Sequence, residues 1–108
     1  MMRNMAGMMK KVQEMQSRME ELQAEMARTE FTAAVGGDSV TVTVTGKGEM
    51  RAVRINPVAV NAADIGMLED MVVLATNNAR AEADRTMAAR MKDITGDLPL
   101  PSGMSLPF

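Results

Sequence analysis

The sequence predicts an α+β fold in which a long N-terminal helix, a three-stranded antiparallel meander, a long second helix and a Pro-rich tail follow one another. Three patterns predict it. Apolar residues recur at steps of three and four from Met5 to Met26, alternate at period two between Phe31 and Ile55, and return to helical spacing from Leu68 to Met91. With 108 residues, the chain is expected to be a single domain around one modest core.

Residues 1–28 are assigned to the first helix. Met5, Met8, Val12, Met15, Met19, Leu22 and Met26 form a heptad seam, and the Gln, Glu, Lys, Arg, Ser and Ala between them are mostly good helix formers. Two readings are open: an ordinary amphipathic helix lying on its own domain, or a seam that continues against another helix or subunit. Length bears on the choice. About 24 helical residues make a rod of roughly 36 Å, whereas three strands about 4.8 Å apart cover about 15 Å of it. The rest of the Met seam then needs another helix or subunit.

Residues 29–57 read as the sheet. Phe31, Ala33 and Val35 alternate with Thr32 and Ala34, and Gly36-Gly37-Asp38 supplies a turn. In the next strand Val40, Val42 and Val44 face one side and Thr41, Thr43 and Thr45 the other, as in a half-solvated antiparallel sheet. A third strand, Met50 to Asn56, carries Val53 and Ile55 on one face, with Arg51 on that side and Arg54 opposite, and Pro57 stops it. Between these strands, Gly46-Lys47-Gly48 looks like a fragment of a phosphate loop. That chemistry needs a longer glycine loop, a Lys followed by Ser or Thr, and a helix next. Here a strand follows, so a hairpin turn is expected.

The second helix is assigned to residues 64–92, with Asp64 as its cap. Leu68, Val72, Ala75, Ala79, Ala83, Met87 and Met91 form its buried stripe, whose small central residues permit close approach of another backbone. Residues 93–108 hold all but one of the four Pro and show no periodicity, so an extended tail, draped over a partner, is expected.

Composition excludes several chemistries. The chain has no Cys, His, Trp or Tyr, which removes disulfides, the usual zinc sites, His-activated nucleophiles and a neutral-pH switch. No catalytic residue, cofactor, metal or small-molecule substrate is expected. The adjacent carboxylates Glu20-Glu21 and Glu69-Asp70 diverge by about 100° on a helix and read as solvated faces. A divalent ion held between subunits is the one enzyme-like alternative. Fourteen Met against two Phe suggest either core and interface filler or an adaptable apolar groove. The apolar run Met71 to Ala75 is far short of the roughly 18–20 residues of a membrane span, and the N-terminus lacks an uninterrupted apolar stretch, so cytoplasmic residence is expected.

A formal charge of −2 seems at first to count against nucleic acid, but its distribution is uneven. Through Met19 the balance is +3, and it is −4 from Glu20 to Asp38. Arg80, Arg85, Arg90 and Lys92 against Glu82 and Asp84 make the end of the second helix basic as well. If the helices pack antiparallel, their basic ends lie side by side and form a positive pole that binds phosphates by counterion release. Alternatively, these charges only solubilise helix faces and pair at spacing four, as Arg80 with Asp84.

The order of elements coincides with specific residues. Met15-Gln16 and Glu20-Glu21-Leu22 are followed by Val40-Thr41-Val42-Thr43-Val44-Thr45-Gly46-Lys47-Gly48-Glu49 and Val53-Arg54-Ile55-Asn56-Pro57. Then come Met67-Leu68-Glu69-Asp70-Met71-Val72, Ala75-Thr76-Asn77-Asn78-Ala79 and a terminal Leu106-Pro107-Phe108. In these stretches, over essentially its whole length, the chain resembles the YbaB/EbfC family of bacterial nucleoid-associated DNA-binding proteins. The resemblance implies a tweezer-like homodimer, with sheets and second helices in a central body and helical arms that bind double-stranded DNA with limited sequence preference. It also implies a role in nucleoid organisation or gene regulation. Asn56 and Asn78 stand where the family often has Asp, a difference expected to affect caps or turns more than DNA contact.

The expected phosphate-binding residues are Arg3, Lys10, Lys11, Arg18, Arg80, Arg85, Arg90 and Lys92. Val40, Val42, Val44, Val53, Ile55, Leu68 and Val72 are expected to form the body and its subunit contact. The alternative function is a protein-interaction adaptor that captures partners on the Met seam and tail, with DNA association incidental.

Overall fold

The computed structural model describes residues 2–95, with side chains from Met5 onward. Helix α1 (Met2–Arg28) leads into strands β1 (Glu30–Val35), β2 (Val40–Thr45) and β3 (Met50–Ile55), then a 3-10 turn at Pro57–Ala59 and helix α2 (Ile65–Thr95). The strands form one antiparallel sheet in the order β1-β2-β3. Asp64 caps α2, its Oδ1 accepting from the Met67 N–H at 3.2 Å. Asn56 opens the 3-10 turn by accepting from the Val58 N–H at 3.0 Å, work that needs an acceptor oxygen but no charge.

The helix does not stop at Lys92 as expected. Asp93, Ile94 and Thr95 are helical, because Ile94 still packs against the buried Met19, Leu22 and Met26 of α1. The expected tail therefore begins no earlier than Gly96, and the rest of it lies outside the described residues.

Two clusters make the core. Val40, Val42 and Val44 are fully buried beneath Ala75 and Ala79, with Phe31, Ala33, Val35, Leu68, Met71 and Val72 around them. The alanines let α2 sit close to the pleat, as the small-residue stripe implied. Beyond the sheet, Met19, Leu22 and Met26 meet Met87, Met91 and Ile94 between the two helices. Burial of each such Met side chain stabilises the fold by about 2 kcal/mol.

Val53 and Ile55 do not join this core. They pair with Val42 and Val40 and so share the apolar face, yet they remain 40% and 41% exposed. The reason is placement: α2 lies over β1 and β2 and leaves β3 to one side. A bulge opposite Thr43/Val44 pairs Ala52 with Thr43 and Met50 with Val44, leaving Arg51 without a partner in the ladder. Period two cannot show such an insertion.

Thr45 also departs from its expected outward face. It is buried at the strand end, where its Oγ1 accepts the N–H groups of Lys47 and Glu49 at 3.3 and 3.2 Å. The Gly-Lys-Gly segment is a turn into β3, and it fastens α1 to the sheet: the Gly46 N–H donates to Met26 O at 2.9 Å and to Thr29 O at 3.0 Å. A Cβ on Gly46 would lie 2.6 Å from Met26 O, a backbone atom that cannot swing away. Gly46→Ala is expected to destabilise the protein by about 2 kcal/mol, lowering the melting temperature by roughly 10 °C. Gly7→Ala, with nothing within 4 Å of the new Cβ, is the comparison and should stabilise α1 by up to about 1 kcal/mol. Thermal melts of the two variants check both signs.

Candidate nucleic-acid interface

The α1 and α2 helices run antiparallel, as the Arg90–Glu25 ion pair at 2.7 Å and the Leu22–Ile94 neighbourhood establish. Their basic ends are not level, however. The first half of α2 is spent on the sheet, so its described end reaches α1 only near Leu22. The N-terminal part of α1 projects past it, and the protein extends over 72 × 27 × 18 Å.

The eight candidate cations fall into two groups. Arg80 and Arg90 are committed to the fold. The Arg80 guanidinium donates to Gly48 O at 3.3 Å, holding α2 to the β2–β3 turn rather than pairing with Asp84, and Arg90 is paired with Glu25 across the helices. Neither contact has a local sequence signal, since the partners are 32 and 65 residues apart. Among the described residues, no other ion pair forms. Lys10, Lys11, Arg18, Arg85 and Lys92 are exposed and uncommitted. Arg3 falls in the first turn of α1.

Helical geometry orders the uncommitted group. Lys11 and Arg18 are seven residues apart on α1, as are Arg85 and Lys92 on α2, so each pair lies along one stripe of its helix. Lys10 and Lys11 stand roughly 12 and 10 Å along α1 beyond Arg18, toward the free end. Arg18 itself borders a concavity of about 260 Å³ with Glu21, Glu25, Arg90 and Asp93, where carboxylates outnumber guanidiniums. The positive pole is therefore sharpest on the projecting half of α1. The Arg90–Glu25 pair is nearly half exposed, so Arg90→Ala should cost at most about 1 kcal/mol in a denaturant titration.

Among the described residues, no helix is long and apolar enough to cross a membrane, and no three His, Cys, Asp or Glu side chains group as metal ligands. The model of the YbaB/EbfC DNA-binding family matches residues 1–98. The chain belongs to that family. A nucleoid-associated protein of Bartonella tribocorum is 44% identical over 107 residues, covering 99% of this chain and 100% of the relative. A nucleoid-associated protein of Brucella ovis is 41% identical over the same coverage. The crystal structure of an uncharacterized protein from Helicobacter pylori shares the fold with a TM-score of 0.67, at 20% identity, over 76% of this chain and 86% of that one. The helix–meander–helix arrangement thus persists at an identity where most side chains differ.

Proposed function

We propose that this chain is a homodimeric nucleoid-associated protein of the cytoplasm that binds double-stranded DNA through phosphate contacts with little sequence preference, organising the nucleoid or regulating genes. The observation that carries this reading is the set of uncommitted cations on the projecting half of α1 and the end of α2, in a chain whose family is DNA-binding. Each acts as a cation toward a phosphate oxygen rather than as a reader of base edges. The acidic remainder of the chain keeps the duplex on the arms.

Dimerisation is supported by the apolar face that one copy leaves in water. Val53 and Ile55 of β3 are exposed beside Val58 and Val60 of the following segment, and Val73 of α2 is exposed too. Val73 precedes Arg80 by seven residues and so lies along the stripe of α2 that faces the β2–β3 side. Exposed apolar side chains of this kind are what a second copy of the chain would cover.

A salt-dependent DNA titration, with the molecular mass measured alongside, tests the reading. If a dimer neutralises about six phosphates, log affinity should fall against log salt with a slope near −5. A flat response, or a monomer mass at binding concentrations, overturns it.

A further inference from the structure

The two edges of the sheet differ. β3 carries Arg51, Arg54 and the bulge, devices that blunt an edge, whereas β1 runs without Pro, bulge or Lys and bears one charge, Glu30. The two flanks of α2 differ as well. Val73, Arg80, Met87 and Ile94 recur every seven residues on the flank turned to β3 and α1, where Arg80 reaches Gly48 and Met87 and Ile94 meet α1. Met67 and Leu74 lie on the other flank, above β1, and are 60% and 52% exposed.

We propose that a second copy of the chain covers both features at once, its β1 pairing antiparallel with β1 about a two-fold axis and joining the two three-stranded sheets into one. One distance supports this occupant. α2 lies over β1 and β2, so its axis is about 4.8 Å from the two-fold axis, half a strand spacing to β1 and half a spacing beyond it. The two α2 helices then stand about 9.6 Å apart, within the roughly 8–10 Å at which helices pack. A peptide that paired with the edge alone would leave Met67 and Leu74 in water.

Met71 sets the register. A Cβ on Gly36 would lie 2.9 Å from its Sδ, and Phe31, at the other end of β1, packs on the cluster that holds Met87, so α2 runs antiparallel to β1. Ala33 is about 10 Å of strand from Gly36, which about seven helical residues span, so its level on α2 falls near Asn77 and Asn78. A two-fold axis there sets Leu74 against the second copy's Ala81, Met67 against its Ala88 and Asp70 against its Arg85. Large side chains meet small ones, and acid meets base. Within one chain, among the described residues, neither Asp70 nor Arg85 forms an ion pair. Along the strands Phe31 opposes the second copy's Val35, and Glu30 its Gly36, so no like charges face each other. The contact uses neither Val53 nor the cations of α1. It presents two large exposed apolar side chains against the five of the β3 side, so it is the weaker contact and joins dimers at higher concentration.

Disulfide trapping tests the contact in the full chain, which has no Cys of its own. Thr32→Cys with Ala34→Cys places each thiol opposite the other thiol of the second copy, on the exposed face of the sheet, at a Cα separation of about 5 Å. Under mild oxidation, covalent dimers should form at least about tenfold faster than from either single variant, whose like positions stand about 8 Å apart. The same ratio is expected with Val53→Asp added, which separates this contact from the dimer proposed at β3. Equal rates in the double and single variants overturn the proposal. A second measurement reads the charge register on α2. In the double-Cys chain, Arg85→Asp should slow trapping about tenfold, because both ion pairs become repulsions, and Asp70→Arg added to it should restore the rate to within about threefold. A rate that Arg85→Asp leaves unmoved, or that the second change does not restore, overturns it as well.

Discussion

Reversing two charges on each projecting arm, Lys10→Glu with Lys11→Glu, is expected to weaken DNA binding by the proposed dimer by about 10³-fold at 0.15 M salt. Counterion release sets the size of the effect: each neutralised phosphate contributes about 0.9 to the slope of log affinity on log salt, or roughly fivefold at that concentration. Two phosphates per subunit, four in the dimer, left without a cation amount to about 10³-fold, and repulsion by the new carboxylates adds to it. The slope should become shallower by about 3.6. Both residues are exposed and, among the described residues, neither forms an ion pair, so the melting temperature should stay within a degree or two. The comparison is Arg90→Ala, which removes one cation that is already neutralised by Glu25. Its affinity should change less than threefold. If the two variants weaken binding equally, phosphate contact is not concentrated on the arm, and the division into committed and uncommitted cations loses its meaning for DNA.

Periodicity carried most of the fold because the pattern that buries each element is local. Met15, Met19, Leu22 and Met26 of α1 and the valines of β2 are buried where spacings of seven and two put them. What the sequence did not reveal depends on contacts far apart along the chain. Thr45 is buried because Gly46 draws the end of α1 over it, and nothing in an alternating Val-Thr strand marks that site. Arg80 and Arg90 carry the same charge as their neighbours, and only the placement of Gly48 and Glu25 distinguishes them. The candidate interface was thus legible as a charge distribution but not as a set of individual residues. Helical spacing could have picked out the Lys11–Arg18 and Arg85–Lys92 stripes; the structural commitments of the other arginines required the tertiary fold. The helix end is a similar case, since Ile94 continues α2 by packing on α1 rather than by propensity.

Val53→Asp is expected to split the proposed dimer while leaving the chain folded. In a single copy, Val53 shares the apolar face of the sheet but is 40% exposed, so a carboxylate there keeps access to water. In the proposed two-fold contact that access would be lost, and both subunits would contribute a charge to it. Desolvating an unpaired carboxylate costs several kcal/mol, so the dimer dissociation constant should rise by about 10³-fold or more. Circular dichroism should retain the helical signal, with a lower melting temperature because association no longer stabilises the native state. Ala52→Asp separates this effect from a general intolerance of charge in β3. Ala52 pairs with Thr43 on the opposite face and is exposed, so that variant should remain dimeric. Splitting the dimer also halves the phosphates that one particle can reach. A monomer that neutralises about three phosphates instead of six should bind about 100-fold more weakly at 0.15 M salt, although every basic side chain is unchanged. A monomeric Val53→Asp variant that binds DNA as tightly as the parent would detach the dimer from DNA recognition. One that stays dimeric would place the subunit contact away from β3.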